Sequence, residues 1–199
     1  VDLSALYLDV LKDRLYTSKA GSRARRSAQT AMMEVLQAMA KLLAPILTFT
    51  AEEVWLMLPP YPGKPESVHL TQFPEVNQVF VRPELAETWK TLVAVKGETA
   101  KAIEAARQNK VVGHSLDAAV EVAAPEPLRT LLETHQDDLR ALLIVSDLRV
   151  VEGQGIANAY RSADIPGLVV AVSRAKGGKC HRCWNYSSTV GESRKHPTL

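Results

Sequence analysis

With 199 residues, 46% of them hydrophobic and 23% charged, the chain can bury one good core or two small ones. No apolar run approaches the ~20 residues that a membrane-spanning helix needs, and Val1-Asp2-Leu3-Ser4 has neither the basic start nor the apolar stretch of a signal peptide. The net charge of +2 hides an uneven distribution. Residues 1–26 carry six Lys/Arg against three Asp/Glu, residues 174–199 six against one, and the middle 12 against 18. Basic ends on an acidic body suit a polyanion held at two places. The first residue is not Met, so the expectation is a segment of a longer, cytoplasmic protein.

Residues 4–16 predict a helix, with Ser4 as N-cap and Tyr7, Leu11 and Leu15 at helical spacing. Thr17 to Ser22 breaks it: Gly21 suits a left-handed turn and Ser22 can cap a second helix. That second helix carries Ala28, Met32, Val35, Met39, Leu42 and Ile46 on one apolar face. Pro45 ends or kinks it near Ala44. Thr50-Ala51-Glu52-Glu53 has the form of a capping box opening a short helix with Trp55, which stops at Pro59-Pro60. Two and a half amphipathic helices make an incomplete bundle.

Five prolines fall within residues 59–82, which predicts a connector with a short strand at Ser67–Leu70. A long helix over Pro83 to Gln108 should bury Leu85, Trp89, Leu92, the stem of Lys96, Ala100 and Ile103. Lys110 to Gly113 turns the chain. Leu116, Ala118, Val120 and Val122 alternate with more polar residues, as in a half-buried strand. Short helices are expected at Leu128–Leu132 and Leu139–Leu143, and strands near Leu148–Glu152 and Leu168–Ser173. Gly177-Gly178 is expected to hinge into the tail. The predicted fold class is α+β: a partial helical bundle over 1–60, a connector over 61–82, an α+β module over 83–175 and a cysteine-containing tail over 176–199.

Chemistry concentrates in two places. In Cys180-His181-Arg182-Cys183-Trp184, two thiolates two residues apart can clamp one side of a tetrahedral zinc. Lys179 and Arg182 favour the thiolate form. A zinc ribbon would bring a second Cys pair about 15–20 residues later. Here 16 residues follow Cys183 without a third cysteine, and His196 is the one other ligand at suitable spacing. Three readings stay open on spacing alone: a partial zinc ribbon, incidental cysteines, and a redox pair. The second place is the cluster Lys19, Arg23, Arg25 and Arg26, at and before the start of a helix. Basic residues oppose the helix dipole there. Either a polyanion or salt bridges to Asp9 and Asp13 would offset that. No nucleotide-binding loop, nucleophile elbow or carboxylate dyad is visible.

The strings themselves resemble those of bacterial isoleucyl-tRNA synthetases. The likeness is carried by Ser4–Asp9 with Lys12–Tyr16, by Ala24–Thr30, by Leu43–Trp55 (LAPILTFTAEEVW), by Lys110–Ala118 (KVVGHSLDA) and by Lys179–Trp184 (KCHRCW). Single pieces also occur in the valyl and leucyl relatives; the knuckle together with the junction strand distinguishes the isoleucyl enzymes.

The resemblance implies the anticodon-binding part of an ATP-dependent ligase that charges tRNA(Ile) with isoleucine, with the catalytic and editing domains N-terminal to Val1. Neither nucleotide-binding signature of the family, HIGH or KMSKS, occurs here, so this polypeptide is expected to be inactive alone. Its task would be to hold the anticodon stem-loop, with Lys19, Arg23, Arg25, Arg26, Arg182 and Trp184 as RNA-facing residues. Cys180 and Cys183 would bind zinc with a second Cys pair beyond Leu199, and the parent is expected to be a monomer. Without that pair, the tail after Gly178 is expected to be metal-free and mobile, or to recruit His196. The alternative is a free-standing tRNA-binding or protein-interaction module; an oxidoreductase using the two cysteines is a remote third.

Overall fold

The structure, a computed structural model, describes residues 2–153 and 159–199. The α+β fold class is borne out. The chain forms two compact units, Leu11–Val81, and Val1–Val10 with Arg82–Leu199, a division that cuts the chain differently from the four segments expected. It passes from one unit to the other inside its first long helix. That helix begins earlier than expected: a π-helical turn over Asp2–Tyr7 leads into α1 (Leu8–Tyr16), so Ser4 lies within the helical run and is not its cap.

In the helical unit, α2 spans Arg23–Leu43 and α3 spans Thr48–Met57. Ser22 caps α2 as expected, its hydroxyl accepting from the Arg25 amide at 3.4 Å. Gly21 is not left-handed; the positive-φ glycines lie elsewhere. Pro45 acts as a stop, with Ala44 as the C-cap. The buried face differs from the expected stripe. Ala40, Ala44, Ala51, Trp55, Leu58 and Val68 form the core, while Met39, Leu42 and Ile46 are exposed. The small side chains of Ala40, Ala44 and Ala51 leave room for one large one, and Trp55 fills it completely.

The capping box is overturned. Helix α3 starts at Thr48 without a side-chain cap. The Glu52 carboxylate accepts from the Val68 amide at 2.9 Å and the Ser67 hydroxyl at 3.0 Å, tying the connector to the helix. The expected strand at Ser67–Leu70 is a 3-10 turn, Val68–Leu70. The indole of Trp55 donates to the Pro65 carbonyl at 2.9 Å, and Lys41 and Lys64 lie over its ring.

The larger unit is built on α4, which spans Pro83–Gln108 as expected. Its buried face is Leu92, Val95, Thr99, Ala102, Ile103 and Ala106. Leu85, Trp89 and Ala100 are exposed, which corrects the expected face. The chain then runs through β1 (Ala118–Ala123), α5 (Leu128–Thr134), α6 (Gln136–Leu143), β2 (Asp147–Val150), β3 (Tyr160–Arg161) and β4 (Val169–Arg174). Leu116 lies in a 3-10 turn before β1. The sheet order is β2-β1-β4-β3. Strands β1 and β2 are parallel, so α5 and α6 supply the crossover that a parallel pair requires; β1 and β3 both pair antiparallel with β4. Val120, Val122, Leu148 and Val170 meet Leu92, Ile103, Leu139 and Leu142 in one core.

One buried carboxylate fastens this core. Glu98 on α4 is 4% exposed. It accepts from Tyr160 Oη at 2.9 Å and Ser162 Oγ at 2.5 Å and pairs with Lys101 at 2.5 Å. Lys101 also reaches Asp164 at 2.8 Å. The bond from Lys101, then that from Ser162, holds the Glu98 carboxyl down at about 2 despite burial. Strand β3 and the turn after it are thereby pinned to α4, two elements far apart in sequence.

Candidate nucleic-acid interface and metal knuckle

The tail folds as a two-stranded hairpin, β5 (Gly178–Lys179) with β6 (Tyr186–Ser187), enclosing the cysteine knuckle. The tail therefore has paired backbone on both sides of the knuckle. Inside the loop the Trp184 amide donates to the Cys180 carbonyl, and the Cys180 amide to the Asn185 carbonyl, both at 2.9 Å. These bonds close a tight turn. The Cys183 amide, then the Arg182 amide, point at the Cys180 sulfur and hold its thiol below the ordinary range against the effect of burial; the Arg182 guanidinium adds to this. Both cysteines are half-buried free thiols.

This donor set fits one side of a tetrahedral zinc site: two adjacent sulfurs, with backbone amides already favouring thiolate. Among the described residues no group of three or more His, Cys, Asp or Glu could hold a metal, so His196 does not join the pair.

Gly177 and Gly178, the expected hinge, lie where two backbone segments cross closely. A Cβ on Gly177, which has a φ of 96°, would run into the backbone of Ser187. One on Gly178 would press on Val190 at 3.0 Å. Glycine is needed here for close backbone crossing.

The knuckle is docked on the sheet unit. Ser146 is 7% exposed; its hydroxyl donates to the Leu116 carbonyl at 2.5 Å and accepts from the Tyr186 amide at 2.7 Å. Lys179 Nζ lies 5.8 Å from the Trp184 ring centre, 5.7 Å from that of Tyr186, and 3.9 Å from Asp117 Oδ1. Burial pushes the Asp117 carboxyl up, but the His114 amide and then Lys179 outweigh it and hold it below its ordinary value. Trp184 takes a φ of 64°, a left-handed conformation that costs a bulky residue roughly 1–3 kcal/mol. Its side chain is 59% exposed. Arg182 is also exposed on the knuckle.

At the basic cluster the four cations divide. Lys19, Arg23 and Arg26 are exposed, and no carboxylate among the described residues pairs with them. The alternative of salt bridges from these three to Asp9 and Asp13 finds no support; the Asp13 carboxylate accepts from Thr17 Oγ1 at 2.7 Å. Arg25 is half-buried and turns back, Nη1 donating to the Ser18 carbonyl at 3.3 Å while its buried Nε has no partner. It fixes the loop that carries Lys19. Sequence reasoning missed Ser146, Asp117 and Tyr186, whose roles arise from contacts 30 to 62 residues apart.

A family model described as the anticodon-binding domain of tRNA ligases matches residues 1–122, more than half of the chain. The chain belongs to this anticodon-binding family. A second model, described as a zinc finger found in FPG and IleRS, matches residues 177–199, the segment that holds the knuckle. The anticodon-binding chain is 46% identical over 200 residues to the isoleucine–tRNA ligase of Syntrophotalea carbinolica, 44% over 201 to that of Moorella thermoacetica and 43% over 199 to that of Geobacter sulfurreducens. Each alignment covers all of this chain and 21%, 22% and 21% of the relative, respectively. The chain thus spans about a fifth of the length of the curated relatives it matches. Among the described residues, no helix is long and apolar enough to cross a membrane.

Proposed function

We propose that this chain is the anticodon stem-loop binding region of an isoleucine–tRNA ligase, an enzyme that uses ATP to charge tRNA(Ile) with isoleucine. The observation that carries the proposal is the pairing of an anticodon-binding family match with a zinc-finger match at the Cys180/Cys183 knuckle in one chain. Lys19, Arg23 and Arg26 supply phosphate contacts, which give affinity and orientation. Arg182 and Trp184 on the knuckle supply a cation and a stacking surface for unpaired bases. Arg25 acts on RNA through the loop it fixes. The parent protein works as a cytoplasmic monomer, with ATP used by a catalytic domain outside these residues.

The test is binding of an anticodon stem-loop to the full chain with Arg23→Ala and Arg26→Ala combined. Affinity should fall at low salt, and the log–log salt slope should flatten by about 0.7 per lost phosphate contact on single-stranded RNA. Binding as tight as that of the unaltered chain would make these arginines bystanders.

Zinc at the knuckle would lock the turn that presents Arg182 and Trp184. Cys180 and Cys183 would provide two of its four ligands, and two further donors would be needed to close the site. The His181 amide donates to the Thr198 carbonyl at 3.0 Å, which brings the chain back to the knuckle where such ligands would have to arrive. With only two thiolates, metal should be weakly held and stripped by a mild chelator. Metal analysis decides it: one zinc per chain that survives mild chelation would show that two thiolates suffice.

A further inference from the structure

We infer that Ser146, seconded by Lys179 and Asp117, is a positioning residue for RNA recognition: it latches the cysteine knuckle to the sheet and so aims Trp184. The inference rests on the anticodon-binding reading given above. The knuckle hairpin needs contacts outside itself to take a fixed orientation. The hairpin has two residues in each strand, too short to hold a fixed orientation alone. What holds it is the edge of β6. The Tyr186 amide points away from its β5 partner and donates to Ser146 Oγ at 2.7 Å. That hydroxyl also donates to the Leu116 carbonyl at 2.5 Å.

Ser146 is engaged through its backbone as well. Its amide donates to the Ala118 carbonyl at 3.2 Å, and its carbonyl accepts from Arg140 Nη1 at 3.4 Å. One buried residue therefore joins the turn before β1, the end of α6 and the knuckle hairpin. A serine at this depth needs partners for its hydroxyl, and here it has one on each side.

The second contact fixes direction rather than attachment. Lys179 lies near both Trp184 and Tyr186 and faces Asp117. Asp117 is itself held by the His114 amide at 2.9 Å. The ammonium thus links the exposed indole to a carboxylate at the start of β1. Cation–aromatic contacts of this kind restrict the ring without covering it, and the indole keeps an open face. A Trp184 held in a left-handed backbone conformation beside a pinned Lys179 presents its indole to solvent, the arrangement needed for a base to stack on.

The test uses the full chain, zinc-supplemented, with Ser146→Ala, Lys179→Met and the rescue variant Ser146→Thr. Three quantities are read for each: hydrogen exchange of the Tyr186 amide, affinity for an anticodon stem-loop, and the salt slope of that affinity. For Ser146→Ala, Tyr186 exchange should quicken at least tenfold. RNA affinity should fall roughly five- to tenfold, as expected for an unmade buried hydrogen bond, with an unchanged salt slope. Ser146→Thr keeps the hydroxyl and should recover most of the affinity. Lys179→Met should weaken binding severalfold, again with the slope unchanged. A slope flatter by about 0.7 would make Lys179 a phosphate contact and overturn its positioning role. If the unaltered chain bound RNA and Ser146→Ala bound it equally well despite faster Tyr186 exchange, the latch would be purely structural and the inference would fall alone. If the unaltered chain bound no stem-loop, the anticodon reading would fall and take this inference with it.

Discussion

The two units solve the same problem, burying enough apolar surface to be stable, in opposite ways. Among the described residues, the sheet unit spreads its core over 17 buried residues from α4, α5, α6, the strands and the turns between them. The helical unit concentrates its core on six, three of them alanines, around a single tryptophan. Burial differs accordingly: Trp55 is wholly enclosed while Leu42, Ile46, Phe49 and Met57, on or between the same helices, are more than half exposed. A distributed core tolerates the loss of any one contributor. A core hung on one residue does not, because the small side chains around it cannot close the gap.

The sharpest way to break this comparison is to remove one large core residue from each side. Trp55→Ala should cost about 3–5 kcal/mol and remove both the Pro65 hydrogen bond and the seat for Lys41 and Lys64. Helices α2 and α3 should then melt first and become protease-sensitive, while the strand signal persists. Leu142→Ala in the sheet unit should cost a comparable or smaller ~2–5 kcal/mol, yet leave a cooperative unfolding transition. Circular dichroism melts with limited proteolysis would separate the two. A Trp55→Ala chain that resisted cleavage between Leu11 and Val81 as the unaltered chain does would refute the contrast.

A smaller effect, seen only in acid, sharpens it further. The Glu98 carboxyl is held at about 2, below its ordinary 4.5. A depressed acid contributes stability above its unfolded value and loses it as protons bind the folded form. The sheet unit should therefore weaken as pH falls from about 4.5 toward 2, with the Tyr160 and Ser162 contacts loosening together. In Glu98→Gln this acid-dependent part should disappear, at some cost in stability near neutral pH. Thermal melts across that range check it; equal acid slopes in both chains would remove Glu98 from the account.

What could be read from the sequence divides along the same line. Helix α4 runs from Pro83 to Gln108 as its proline start and periodicity imply, and α2 stops at Pro45. The faces are misread, because counting large apolar residues selects Met39, Leu42 and Ile46, whereas α3 packs where Ala40 and Ala44 let it come close. Thr50 to Glu53 has the local pattern of a capping box, but α3 is already under way at Thr48, so no free helix start lies there; the adjacent Glu52 carboxylate finds partners fifteen and sixteen residues away, where no local pattern reaches. The knuckle residues are legible because two cysteines at that spacing carry their chemistry with them. Ser146 is not: a serine between a helix and a strand gives no sign that it will receive the Tyr186 amide.

The central claim, that this chain recognises an anticodon stem-loop of tRNA(Ile), is tested most directly by equilibrium binding to two RNAs that differ only in the anticodon. One carries the isoleucine anticodon; the other has the same stem and loop length with those three bases changed. The account predicts tighter binding to the first by about 1–3 kcal/mol per discriminated base, by analogy with base readout elsewhere, and similar salt slopes for both, because the phosphate contacts are shared. Equal affinity for the two RNAs, or no binding to either, would contradict it.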